Sequence, residues 1–452
     1  MRLVGTRQIF ILLIPFSLLF LPRGVLASEA EAGGGGHGLN VLVLVGIASI
    51  LLTAKAGGEI FERIGQPAVL GELIGGMLLG NLTLLGVTAV APLKSDAVMT
   101  ALAEIGVIIL LFEVGLETRL SEMMEVGWSS LFVAIAGVVA PFFLGWGIAR
   151  YFLPDESYLV HVFVGATLCA TSVGITARVL RDLGKVKTRE ARIILGAAVI
   201  DDVMGLLVLA VVAGAIRAAA AGAQLSLLSV GLIAVKALGF LIAAILVGHY
   251  VMPHMFEGAG RFKTSGMLLS FSLAFCFILA WFAALVDLAP IVGAFAAGLV
   301  LDEVHFKPFR QKNEVSLHDL LKPLSTVLVP IFFVLMGLRV DLRAFARLDI
   351  IGFAIALTIA AIIGKQICSL AVAERGLNRL AVGLGMIPRG EVGLIFAGIG
   401  TTLVLPNFQG VAEPVVGSGT FAAVVVMVVV TTLVTPPVLK WALSRQQHKA
   451  KE

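Results

Sequence analysis

Apolar runs of about twenty residues recur along the chain, separated by short polar stretches. A run of that length crosses the ~30 Å hydrocarbon core of a bilayer as a helix. The runs are continuous and rich in Leu, Ala and Gly rather than alternating, which predicts helices and not strands. About thirteen spans are expected, near 39–56, 68–91, 97–116, 127–151, 158–180, 191–216, 226–250, 264–286, 288–303, 320–338, 350–373, 379–404 and 416–441. The fold class is therefore an all-α polytopic membrane protein.

Residues 1–27 have the build of a secretory signal peptide. Arg2 and Arg7 precede an apolar stretch from Ile9 to Phe20, and Val25 and Ala27 are the small residues a cleavage site needs. An uncleaved extra span is the alternative. The "SEAEAGGGGHG" that follows is a polar linker whose glycines follow no predicted strand, so a phosphate-binding loop is not expected.

Composition agrees with the pattern. Of 452 residues, 59% are hydrophobic and 14% charged, and the mean hydropathy is +1.04. The net charge of +4 is not a nucleic-acid signal, because the basic residues gather in loops on one side. Cys169, Cys276 and Cys368 all fall inside apolar runs, where buried small side chains are expected rather than disulfides or a metal cluster.

Orientation follows from that asymmetry. With the mature N-terminus outside, loops after odd-numbered spans and the tail hold 21 Lys and Arg against six on the other side. This places the C-terminus, a short tail at 442–452, in the cytoplasm. Thirteen spans also accommodate two six-span halves joined by a linking span at 226–250, which inverts the second half. Under that pairing spans 5 and 12 are equivalent, as are spans 6 and 13.

The apolar runs carry charges that lipid does not tolerate cheaply. "RIILGAAVIDDVMGLLVLAVVAGAI" (192–216) holds Asp201 and Asp202 at its middle. A central carboxylate costs roughly 2.5–3.5 kcal/mol on insertion scales, so two cost about 5–7 kcal/mol. Neighbours on a helix point about 100° apart, so one acid can be paired while the other faces water. Lys365, in "LTIAAIIGKQICSLAV", is the expected partner, at comparable depth. That pairing would leave one negative charge for a cation or a proton. Lys236 in span 7 is as compatible with packing as with function.

Two further stretches read as interrupted helices. "GATLCATSVGITARV" (165–179) gathers Thr167, Thr171, Ser172 and Thr176 around Gly174. "GLGMIPRGEVGLIFAGIG" (383–400) places Pro388, Gly390 and Gly393 around Arg389 and Glu391. Broken helices present carbonyls and half-helix ends to ions where backbone lines a cavity. Ordinary interhelical hydrogen bonding is the alternative for the hydroxyl cluster, and a structural role is the main expectation for Arg389 and Glu391. Glu72, Glu104, Glu113 and Asp287 are expected near interfaces or along an aqueous funnel. "GELIG" and "GMLLG" in span 2 have the spacing of close helix packing.

Taken together, "QPAVLGELIGGMLLGN", "LLFEVGLE", "ATSVGITARVL", "AAVIDDVMGLL", "PIVGAFAAGLVL", "PIFFVLMGLRVDL" and "PRGEVGLI" resemble, in content and order, the monovalent cation/proton antiporter superfamily. The likeness is to its NapA-type and Kef-type branch and spans roughly 40–440. It implies two inverted repeats with two crossed discontinuous helices. It also implies scaffold and dimerisation halves at 39–116 and 264–338, and core transport halves at 127–216 and 350–441. By motif, Asp202 matches the acid that carries the cation or proton, and Asp201 the neighbour that exchanges a salt bridge with Lys365. Thr171 and Ser172 match the unwound segment beside the site, and Glu391 the acid of the "RGE" segment.

The resemblance implies Na+ (or Li+) exchanged for H+ at the Asp-Asp site, with no cofactor, in a homodimer in a bacterial inner membrane. Kef-type potassium antiporters usually carry Gln-Asp and a nucleotide-binding domain, so Asp201-Asp202 favours sodium, with K+/H+ exchange the runner-up. A sodium-coupled organic-solute symporter is disfavoured by the Asp-Asp and Lys365 constellation, and a channel by the lack of a filter motif. Asn81 stands where the family commonly has proline, which bears on turn geometry and not on the ion site.

Overall fold

A computed structural model describes residues 41–449 except 88–89, 118–126, 184, 186–187, 223–226, 260–265, 302–315, 344–346, 375 and 407–411. The expected signal peptide and linker lie outside the described residues. Sixteen helices are labelled here in chain order: α1 Val41–Arg63, α2 Ala68–Gly80, α3 Ala97–Glu117, α4 Trp128–Phe152, α5 Tyr158–Thr167, α6 Val173–Asp182, α7 Arg189–Ala220, α8 Leu227–Tyr250, α9 Met252–Ala259, α10 Met267–Leu285, α11 Pro290–Val300, α12 Leu317–Leu338, α13 Leu348–Gln366, α14 Arg379–Gly385, α15 Gly390–Thr402 and α16 Ser418–Lys449.

Among the described residues, nine of these helices are long and apolar enough to span a bilayer, and α2, α5, α11 and α15 are shorter apolar helices. The protein is an integral membrane protein of nearly all-helical fold. Each expected span coincides with a helix or, at spans 5 and 12, with two helices separated by a break.

Local chemistry sets the ends. Thr188 Oγ1 accepts from the N–H of Ala191 at 3.2 Å, capping the 32-residue α7 that carries the two acids. Asn378 does the same for α14, accepting from the N–H of Ala381 at 3.0 Å. Span 2 ends earlier than its hydropathy predicts. Asn81 Nδ2 donates to the carbonyls of Met77 (2.8 Å) and Val340 (2.7 Å), and its Oδ1 accepts from Leu342 N–H (3.0 Å). The side chain thereby takes over groups the helix would have used, and a 3-10 turn, Leu82–Leu85, follows where the apolar run was expected to continue as helix. Two other elements lie beyond the reading from sequence: the short helix α9, and a hairpin pairing β1 (Val404–Pro406) with β2 (Ala412–Pro414).

The chain separates into two compact units, Met1–Val107 with Pro323–Leu342, and Ile108–Lys322 with Arg343–Glu452. In the first, α2 packs backbone to backbone on both sides. A Cβ on Gly71 would lie 2.0 Å from the carbonyl oxygen of Gly57, and one on Gly76 would lie 2.2 Å from that of Val334. These are the small-residue contacts expected of span 2. Glu72 on the same helix is buried. In the second unit, α4 packs against α5, α7 and α13, and α16 packs against α13 and α15.

Candidate functional site

Every described candidate residue of the site lies in the second unit. Asp201, midway along α7, and Lys365, near the end of α13, meet in its interior. Lys365 Nζ donates to Asp201 Oδ1 at 2.9 Å and to Oδ2 at 3.1 Å, and both side chains are sealed from solvent. The α-helical part of span 11 ends one residue beyond Lys365 and continues as a 3-10 turn, Ile367–Ala371. Asp202, one step round α7, is only half-buried. The two acids therefore have different surroundings, as the 100° step between neighbours requires.

The third contact of the lysine explains why it is held there. Nζ also donates to the carbonyl of Cys169 at 2.8 Å, in the break between α5 and α6. Arg389 performs a related task from the break between α14 and α15. Its guanidinium is fully buried, with Nη1 donating to the carbonyl of Ala170 at 2.6 Å and Nη2 to that of Ala361, on α13, at 3.2 Å. Two successive carbonyls at the C-terminal end of α5 thus receive an ammonium and a guanidinium. A helix C-terminus carries unsatisfied carbonyls and partial negative charge, so cations stabilise it.

The two breaks also bind one another. Ser172 N–H donates to the carbonyl of Pro388 at 2.7 Å, and Thr176 Oγ1 donates to that of Gly385 at 2.6 Å. Gly390 opens α15 with φ +39°, and a Cβ there would lie 2.6 Å from Ser172 Oγ. Its N–H points at Thr432 Oγ1 on α16, 3.4 Å away. Thr171 and Ser172 are both buried in this crossing, and Thr171 Oγ1 has no hydrogen-bond partner among the described residues.

Of the residues singled out from sequence, Asp201, Lys365, Thr171, Ser172 and Arg389 come together here, and Asp202 flanks them. Glu391 stands in the first turn of α15, and its side chain is outside the described set. Lys236 lies apart from this cluster, half-exposed and 3.8 Å from Asp287 Oδ2. Cys169 and Cys368 are buried free thiols, as expected of them. The sequence offered no signal for the carbonyls of Cys169, Ala170 and Ala361, because backbone acceptors carry no residue-type signature. Nor did it mark Thr432, one threonine among several on an apolar helix.

A buried carboxylate–ammonium pair beside a reachable carboxylate, at two broken helices, suits a site that binds and releases small cations. A family model described as "Sodium/hydrogen exchanger, transmembrane" matches residues 47–445. The chain belongs to the sodium/hydrogen exchanger family. It is accordingly an antiporter of monovalent cations and not an enzyme.

Among relatives, it is 37% identical to the high-affinity Na+/H+ antiporter NhaS3 of Synechocystis, over 88% of this chain and 89% of that one. It is 33% identical to the Na+/H+-K+ antiporter GerN of Bacillus cereus, over 90% of this chain and 97% of that one. The fold resembles that of the sodium proton antiporter MjNhaP1 from Methanocaldococcus jannaschii, with a TM-score of 0.65 at 14% identity, covering 89% of this chain and 97% of that one.

Proposed function

We propose that the protein is a secondary active antiporter that exchanges Na+ (or Li+) for H+ by alternating access. In this reading Asp202 holds the proton and the cation in turn. Asp201 is neutralised by Lys365 in the ion-free state and is released to the site when the bridge opens. Thr171 and Ser172 line the crossing beside it, and Arg389 and Glu391 support the breaks. The transported ions are the only ligands, and no cofactor takes part.

The observation that carries the reading is the contrast between neighbours. Asp201 has both oxygens on a buried ammonium at 2.9 and 3.1 Å, while Asp202 keeps a partly open position one residue away. Burial alone penalises a charged carboxylate, and an ammonium relieves that penalty. A partly open carboxylate beside a neutralised neighbour is then a site for which H+ and a small cation compete.

Movement of the core halves against the scaffold halves would carry the occupied site across. A homodimer in a bacterial inner membrane, with the N-terminus outside and the C-terminus in the cytoplasm, completes the proposal. The orientation rests on the Lys/Arg asymmetry of the loops.

Proton flux in everted vesicles with Na+, Li+ or K+ added separately tests the reading. Dissipation of the pH gradient by Na+ and Li+ supports it. A response to K+ alone supports K+/H+ exchange, the reading suggested by the similar Na+/H+-K+ antiporter GerN. No saturable response to any of the three overturns both.

A further inference from the structure

We propose that Gly137 is a positioning residue for the buried ion pair: its missing side chain is the niche in which the Asp201 carboxylate and the Lys365 ammonium close on each other. This rests on the reading above, in which that pair belongs to the exchange site and opens when the cation is bound. A Cβ at position 137 would stand 3.0 Å from Asp201 Oδ1, 3.2 Å from Cys368 Sγ and 3.3 Å from Lys365 Nζ. All three distances are shorter than ordinary van der Waals contact, so these groups would have to yield by a few tenths of an ångström.

They have little room to do so. The ammonium is already anchored to both oxygens of Asp201 and to the Cys169 carbonyl, at 2.8 to 3.1 Å. Cys368 is fully buried. The backbone of α4 cannot draw back either. One turn further along, a Cβ on Gly364 of α13 would meet Pro141 Cα at 2.9 Å, and on the α5 side Gly145 and Gly165 bring the two helices equally close. Interiors packed in this way transmit small displacements rather than absorb them.

A helix-interior glycine is disfavoured relative to alanine, so α4 forgoes stability at position 137. The same helix shows that the glycine there is not merely tolerated. Gly147 has nothing within 4 Å of its virtual Cβ, so alanine at that position gains helix propensity and touches nothing. The two glycines share a helix and differ only in what faces them. Pro141, lacking an N–H, also leaves the Gly137 carbonyl without its i+4 donor.

A methyl group at 137 strains the closed pair and not the opened one. The equilibrium therefore moves toward the opened, cation-bound state. In proteoliposomes containing the full chain, at one fixed pH, G137A is expected to lower the apparent KM for Na+ by about threefold and the maximal rate by a similar factor, because release slows as binding tightens. G147A should match the parent. In G137A/C368A the thiol no longer confines the pair from its side, and both constants should return only part of the way, because the contacts with Asp201 and Lys365 remain. A G137A protein indistinguishable from G147A overturns the proposal, and so does a raised KM or a full rescue by C368A, which would put the strain on the thiol and not on the pair.

Thermal unfolding supplies a reading independent of transport. G137A should lower Tm in the parent but not in a D201A/K365A background, where the niche has nothing to house. An equal loss in both backgrounds overturns the proposal. Asp202→Asn assayed alongside keeps the two readings distinguishable. Retained exchange in that variant counts against the proposed function, whereas a silent Asp202→Asn with an unaltered G137A counts against the niche alone.

Discussion

The N–H of Ser172 donates to the carbonyl of Pro388 over 2.7 Å, so the interruption of one helix is completed by the interruption of another more than 200 residues away. Buried backbone groups released by a helix break must find partners. Here they find them in each other and in two buried cations. The ion pair of α7 and α13 is built onto this crossing through the carbonyl of Cys169.

Replacing Asp202 by asparagine keeps the side chain's size and removes its charge. Na+-dependent proton flux should fall to background, while thermal stability and yield in detergent stay near those of the parent. Substantial exchange in this variant would move the transported charge to another residue.

Truncating one partner of the buried pair leaves the other uncompensated, which typically costs about 3–5 kcal/mol, whereas removing both is far milder. Lys365→Ala should therefore lower Tm strongly, and Asp201→Ala with Lys365→Ala should recover much of the loss. Unfolding scans of the two single variants and the double variant measure the coupling.

Gly390 combines a left-handed φ of +39° with a close approach to Ser172. Alanine there should cost about 1–2 kcal/mol from the backbone conformation alone, plus the clash. Adding Ser172→Gly should relieve the clash and leave the conformational part. A G390A variant as stable as the parent would show that this crossing has slack.

Arg389 reaches carbonyls on two separate segments with two nitrogens of one planar group. Lysine cannot span both, since its ammonium is a single point. Arg389→Lys should lose about 1.5–3 kcal/mol, the worth of one charge-assisted bond, and lower Tm accordingly. If Lys at 389 is neutral, the second carbonyl contact contributes nothing to stability.

Hydropathy alone indicated where the nine long apolar helices of the described residues lie, since a ~30 Å apolar layer demands runs of a set length. Lipid's intolerance of charge singled out Asp201, Asp202 and Lys365. The glycines, proline and hydroxyls of spans 5 and 12 disclosed the breaks, because those residue types weaken helices. Other features were not legible in this way. The stop at Asn81 depends on the carbonyl of Val340 and the N–H of Leu342, which arrive from a distant segment. A structural role was expected of Arg389 without its partners, and packing directs it to carbonyls that any residue could have supplied.

What the chain determined by itself is therefore what the membrane can sort residue by residue: length, polarity, charge and helix-breaking tendency. Motif resemblance had already matched Asp201 to the lysine, but tertiary structure alone decided which backbone carbonyls hold Lys365 and Arg389, and which of two similar glycines in α4 stands against the pair. Those choices turn on tenths of an ångström between segments far apart in sequence, and residue type carries no record of such distances.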